Sequence, residues 1–395
     1  MSVASRAQIP EFDIDLFSDE NLTDPYPIYK RFRAAGPVVY LPRIDAYVLS
    51  RYADVRAGLG DHETFISGRG ITLSDEGNAT RKGVIIASDN PLHDQLRSVL
   101  AERLSPRAMH GLRKTVTEKA DALVAEVVAR GSFDGVADLA QRFPLELLCE
   151  LIGLPQAERM RLLDWAEAGF NLWGPRNARS IAASAVWANL TEYISTNAAR
   201  DKLAPGSMGA AIYEAADRGI IAPEQCPALL VSYLVAGVDT TINAMANAIA
   251  LFAANPEQWD RVRNDPALVP AAFEEVLRID APLQLVRRAA VRAVEFDGST
   301  IPADASVVMI YASANHDERK WVDPERFDVG RNPVDHLSFG YGLHGCAGQA
   351  LARLEVHAIF GALAKRVERF SIETPVRRLN NVMRGLERLP VTVRT

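Results

Sequence analysis

Cysteine is scarce in this chain, with three among 395 residues: Cys149, Cys226 and Cys346. So sparse and odd a set makes no disulfide framework and suits a reducing compartment. Positive charge is not in excess either: 44 lysines and arginines face 50 aspartates and glutamates, a formal net charge of −6. The basic stripe that a nucleic-acid backbone demands is missing, so no nucleic-acid partner is expected. Residues 1–15 hold no apolar run of signal-peptide length and no stop-transfer anchor, which makes the expectation a cytoplasmic protein without a membrane attachment. Internal repeats, low-complexity tracts and long Pro/Gly/Ser linkers are also lacking. The length alone suggests two domains. Without a linker to separate them, one compact unit over residues 1–395 is the expectation.

Beyond residue 100 most apolar residues recur at helical spacing, and short strand-like pieces fall at 38–41, 46–49, 294–296, 307–311 and 391–393. The fold class expected is therefore mainly α with small β-sheets (α+β). Asp297-Gly298 marks a hairpin turn between the third and fourth of those pieces. The most apolar stretch, residues 229–252, is long enough to span a bilayer but carries Ser232, Asp239, Thr240, Thr241, Asn243 and Asn247. Those side chains are costly in lipid, so it reads as a buried core helix. Cys149 and Cys226 lie in or beside apolar helical stretches and read as small inert residues.

Cys346 sits differently. The run Phe339-Gly340-Tyr341-Gly342-Leu343-His344-Gly345-Cys346-Ala347-Gly348 places four glycines around it and leads into a helix over 349–367, with Leu351, Leu354, Ala358 and Ala362 on one face. Glycines let the backbone fold tightly around the sulfur and aim N–H groups at it. The helix that follows places its positive end near the sulfur and favours the thiolate. An anionic, hydrogen-bonded sulfur is a good axial ligand for haem iron, and such a ligand favours O–O cleavage. Taken alone, the cysteine reads equally well as a structural residue in a tight turn. Elsewhere, Glu275 and Arg278 share a helix face, and Thr240 is placed to hydrogen-bond back to the carbonyl of Ala236 and loosen the helix there.

The ten-residue loop, followed by Leu351-Ala352-Arg353, resembles the haem-binding signature of the cytochrome P450 family. Glu275-Val276-Leu277-Arg278 resembles the family's Glu-x-x-Arg motif, the stretch from Ala314 through Phe327 the loop that closes against it, and Ala236-Gly237-Val238-Asp239-Thr240-Thr241 its oxygen-activation motif. The resemblance implies the P450 fold, haem b (iron protoporphyrin IX) held by Cys346, and O2 as co-substrate. It further implies that Thr240 steadies the dioxygen and Asp239 relays protons to it. His93, Arg97, Arg288 and His344 match positions that hold the haem propionates, while Phe339 and Gly348 belong to the haem-binding loop. Electrons are implied to come from a ferredoxin served by a ferredoxin reductase, docking where Arg97, Arg103 and Arg107 offer positive charge to an acidic partner.

Within the family the chain is similar to bacterial oxidative demethylases of para-substituted benzoates, through residues 170–175 and 378–387. That likeness implies a pocket of Ile86, Phe170, Trp173, Ser232, Ala236, Leu283 and Val286, an apolar slot suited to a flat ring. Val231 stands where those relatives have arginine and Gly83 where they have serine, while Arg81 and Lys82 lie close by. The substrate expected is a small aromatic, a methoxybenzoate or a neutral methoxyphenol, O-demethylated. Hydroxylation of another small hydrophobic substrate (terpenoid, fatty acid or secondary metabolite) stands as the alternative, with a haem-thiolate protein that is not an oxygenase behind it.

Overall fold

The computed structural model describes residues 9–81, 83–155 and 159–395, so Lys82 lies outside the described residues. The chain is mainly helical with small sheets, as expected. Its axis is the helix Cys226–Ala254, 29 residues long, which takes Pro227 in its first turn, where a missing N–H costs nothing. Apolar side chains surround it on nearly every side, which is why it lies inside the protein. Its central amides donate to backbone carbonyls: Asn243 Nδ2 to Asp239 O (2.8 Å), and Asn247 Nδ2 to Asp280 O (3.4 Å) and Arg384 O (3.3 Å).

The helix after the cysteine, Gln349–Ala364, packs against the long helix Pro106–Ala129, whose first turn is capped by Ser105 Oγ accepting from Ala108 N (3.3 Å). It stops three residues short of the expected end. Arg366 and Val367 both donate to Leu363 O (2.9 and 2.8 Å), and that tight turn sends the chain into the strand Arg369–Ile372.

Five strands form the main sheet in the order Val38–Leu41, Ala46–Leu49, Ser306–Ile310, Leu285–Ala290, Phe65–Ile66. Ala46–Leu49 pairs parallel with Ser306–Ile310 and every other pair is antiparallel. The first two strands are buried at every position, hence their continuous apolar runs instead of alternation.

Leu285–Ala290 is a strand the pattern concealed, because Arg287 and Arg288 interrupt it. Arg287 is accommodated by donating to Arg69 O (2.8 Å), Gly70 O (2.6 Å) and Ser306 Oγ (3.0 Å). The Asp297-Gly298 turn exists, with φ of 44° and 79°, but it joins Val294–Phe296 to Ser299–Ile301 and not to the strand at 306–310, which is occupied by its two neighbours in the main sheet. The C-terminal hairpin pairs Val376–Leu379 with Arg384–Arg388.

Candidate functional site

Around Cys346 the loop closes on itself. Cys346 N donates to Phe339 O (2.8 Å), Gly340 N to Leu337 O (2.8 Å) and Gly345 N to Gly342 O (3.0 Å). Gly342, at φ 71°, also passes so close to the helix Tyr52–Gly60 that a Cβ there would meet Leu59 O at 2.7 Å. The N–H groups of Gly348 and Gln349 point at the sulfur. Burial dominates and pushes the Cys346 thiol up, while those two N–H groups and the charges of Arg97 and Arg353 act the other way. A cation facing the sulfur is what would tip it to thiolate.

Cys346 opens on a wide, mostly apolar cavity between the cysteine loop and the long helix, a concave space of the kind that takes a small molecule or cofactor. His93, Arg97 and His344 line it, as do Phe339 and Gly348. The rings of His93 and His344 meet edge-on at 4.6 Å, His344 Nε2 lies 3.0 Å from Ser67 Oγ, and His93 Nε2 is buried with no partner among the described residues. Burial, then the charges of Arg288, His93 and Arg97, push His344 down to about 2. Arg288 does not reach the cavity wall; it is buried behind it, with Nη1 donating to Arg287 O (2.9 Å). Crowded cations around an orphaned ring nitrogen are what two carboxylates would neutralise. A thiol, a large apolar space and this cation cluster together fit haem with its two propionates.

Behind the loop, Glu275 and Arg278 form a fully buried fork, Nε to Oε2 at 2.7 Å and Nη2 to Oε1 at 2.9 Å. Arg278 Nη1 reaches Asn315 O (2.9 Å) and Pro324 O (2.8 Å), and Arg331 Nε donates to Glu275 Oε1 (3.1 Å). The motif thus ties the cysteine side of the protein to the 314–331 segment.

On the long helix, Thr240 lines the cavity and its hydroxyl donates to Ala236 O at 2.9 Å, yet the helix runs unbroken through this turn in place of the expected opening. Asp239 is not part of the wall. Its carboxylate turns toward the C-terminal hairpin, where Arg378 pairs with Oδ1, and Oδ2 is buried with no partner among the described residues. Arg378 also reaches Asn243 Oδ1 (3.2 Å) and Glu167 Oε2 (3.7 Å).

Ile86, Phe170, Trp173, Ser232, Ala236 and Leu283 all line the same cavity. Phe170 and Trp173 stand 5.4 Å apart between ring centres, and Ser232 Oγ donates to Ala228 O (2.9 Å). Val286 is a correction: it pairs with Met309 inside the main sheet, is 0% exposed and offers the cavity no surface. So is Arg97 as a docking cation, since it faces the cavity; Arg103 is half-buried, and of the three only Arg107 is exposed.

Among the polar residues of the wall that escaped the sequence reading as site residues are Glu355 and Tyr233. Glu355 is buried, its Oε2 has no partner among the described residues, and burial pushes its carboxyl up to about 8. It lies four residues after Leu351, so helical spacing already placed it on the inward face. Tyr233 also lines the cavity with its hydroxyl buried and unpartnered among the described residues.

A family model described as Cytochrome P450 matches residues 221–390. Cytochrome p450 CYP199A2 of Rhodopseudomonas palustris is 42% identical over 390 residues, 98% of this chain and 95% of that one. Vitamin D(3) 25-hydroxylase of Pseudonocardia autotrophica is 32% identical over 96% of both chains. Among solved structures, cytochrome P450 CREJ in complex with (4-ethylphenyl) dihydrogen phosphate superposes with a TM-score of 0.86 at 26% identity, covering 99% of this chain and all of that one.

Proposed function

This chain belongs to the cytochrome P450 family of haem-dependent monooxygenases, and within it we propose that the reaction is O-demethylation of a small para-substituted aromatic methyl ether, a methoxybenzoate or methoxyphenol. The observation that carries this reading is the aromatic pair Phe170 and Trp173 on the wall of the cavity that Cys346 opens on, joined by Ile86, Ala236 and Leu283. Flat apolar side chains hold a flat ring and exclude water from it. CREJ, which holds a para-substituted phenyl ring in its structure, lends support from a relative.

Cys346 would hold the haem, with His93, Arg97 and His344 of the cavity wall available to its propionates, Arg288 adding positive charge from behind that wall, and Phe339 and Gly348 belonging to the loop that would receive it. When bound, haem supplies activation of O2, one atom of which enters a C–H bond of the methyl group. The resulting hemiacetal collapses to formaldehyde and a phenol. Thr240, whose proton is engaged by Ala236 O, presents oxygen lone pairs to the cavity and so accepts a hydrogen bond there. Asp239 stands one residue behind as the proton source, and its pairing with Arg378 must loosen for a proton to pass. Electrons come from a ferredoxin and its reductase, in the cytoplasm.

A spectral titration of the purified ferric protein tests the substrate. A high-spin shift with para-methoxybenzoate or guaiacol is expected; no change with either at millimolar concentration would remove the aromatic ether while leaving the family untouched.

A further inference from the structure

Glu274 stands one residue before the Glu275–Arg278 fork and takes its partners from the cysteine loop and the helix after it. Its side chain is 7% exposed and holds two groups at once. Arg353 forks onto it, Nε to Oε1 at 2.6 Å and Nη2 to Oε2 at 2.9 Å, and His336 Nε2 lies 3.0 Å from Oε2. Ser338 N donates to His336 Nδ1 (3.1 Å), so the ring proton sits on Nε2, is donated to Glu274, and leaves the imidazole neutral. Burial raises the Glu274 carboxyl, but the hydrogen bonds from Arg353 and His336 outweigh it and hold the group down at about 2. His357, a further neighbour, is pushed down by burial to about 4 and is uncharged at neutral pH. The cluster is therefore one anion facing one cation.

Both partners of Glu274 flank Phe339, whose carbonyl accepts the Cys346 N–H: the Arg353 guanidinium lies 4.5 Å from the centre of that ring and the His336 ring 5.7 Å from it. Two cations act on the Cys346 sulfur, Arg97 and Arg353. Arg97 lies on the cavity wall, where a propionate would take its charge. Arg353 is answered from within the protein, by Glu274. One-electron reduction of ferric haem bound to a thiolate leaves the site one charge more negative. A cation beside the sulfur favours that reduced form, and a carboxylate that neutralises the cation opposes it. We propose that Glu274 is a positioning residue and countercharge which, by holding Arg353 against Phe339 and cancelling its charge, sets the potential at which the Cys346-bound haem takes its electron. The electron is the one the ferredoxin above delivers. The inference rests on haem held by Cys346 and on no choice of substrate.

The test is a mediated redox titration of the holoenzyme, followed by its absorption spectrum. Glu274→Gln keeps the size of the side chain and removes its charge. It is expected to raise the ferrous-to-ferric ratio at a fixed potential roughly tenfold, a shift of about 59 mV for one electron. Arg353→Gln should shift the potential the opposite way, and the double variant should return close to the wild type. Glu274→Asp keeps the charge and should lie nearer the wild type than Glu274→Gln does. If Arg353→Gln fails to take up haem, the comparison of Asp with Gln at 274 decides; if Glu274→Gln fails, the sign of the Arg353→Gln shift decides. A loop that is merely loosened moves both single variants in the same direction. That result overturns the proposal, as does a potential that no variant moves or an Asp variant that behaves like Gln. If the reduced carbon monoxide complex of the wild type lacks the thiolate signature, haem ligation by Cys346 itself fails and the role of Glu274 with it, a result distinct from an unmoved potential.

Discussion

Arg378, on the C-terminal hairpin, is ion-paired with Asp239 at the middle of the long helix, so an acid 139 residues earlier in the chain is held from behind the cavity wall. Asp239 is fully buried, and the second oxygen of its carboxylate has no partner among the described residues. Removing Arg378 would strand that charge. Arg378→Leu is expected to cost about 3–5 kcal/mol in stability, read as a lower midpoint in urea at unchanged slope.

Thr240 touches the cavity where Asp239 does not, so the two should fail differently. Thr240→Ala is expected to keep NADH consumption going but raise the hydrogen peroxide released per NADH. Asp239→Asn should instead slow NADH consumption itself. Both are read by pairing an NADH assay with a peroxide assay; coupling unchanged in the Thr variant would remove Thr240 from the chemistry.

Cys346 sets the spectrum. In the wild type the reduced carbon monoxide complex should show the strongly red-shifted Soret band of thiolate ligation, and Cys346→His should lose that shift while still binding haem through imidazole.

Glu355 gives a pH signature. Its carboxyl is pushed up to about 8 in the folded protein, against an ordinary value near 4.3 in an unfolded chain. Between those values the unfolded state has released a proton that the native state keeps, so stability falls as pH rises through this window, by roughly 1.4 kcal/mol per pH unit at most. Glu355→Gln removes that slope. Unfolding curves at pH 5 and pH 8 should show the variant gaining on the wild type as pH rises, and parallel curves would count against a neutral Glu355.

The cysteine loop, the Glu275–Arg278 fork and the Thr240 back-bond were legible in the sequence because each is local: residue types at fixed spacing on one helix or one turn. What escaped is what the fold assembles from distant segments. Asp239 was visible as an acid beside Thr240, but its partner arrives from a hairpin that no spacing connects to it. Val286 was placed in the pocket by likeness, whereas sheet packing seals it off. Arg97 reads both as a propionate partner beside His93 and as a docking cation; the helix face the two share turns to the cavity, which fits the first role and not the second. The strand Leu285–Ala290 was hidden by two arginines, of which Arg287 finds its acceptors on other elements and Arg288 on the strand's own backbone.

The parallel pairing of Ala46–Leu49 with Ser306–Ile310 also governs how the protein is made. On the ribosome the early hairpin of residues 38–49 emerges with one strand edge uncovered, and its mate is not synthesised until residue 306. Apolar on both faces, that hairpin must stay unpaired through most of translation, exposed to association with other nascent chains. Yield of soluble protein should therefore respond to slower synthesis or added chaperone more than to extra haem.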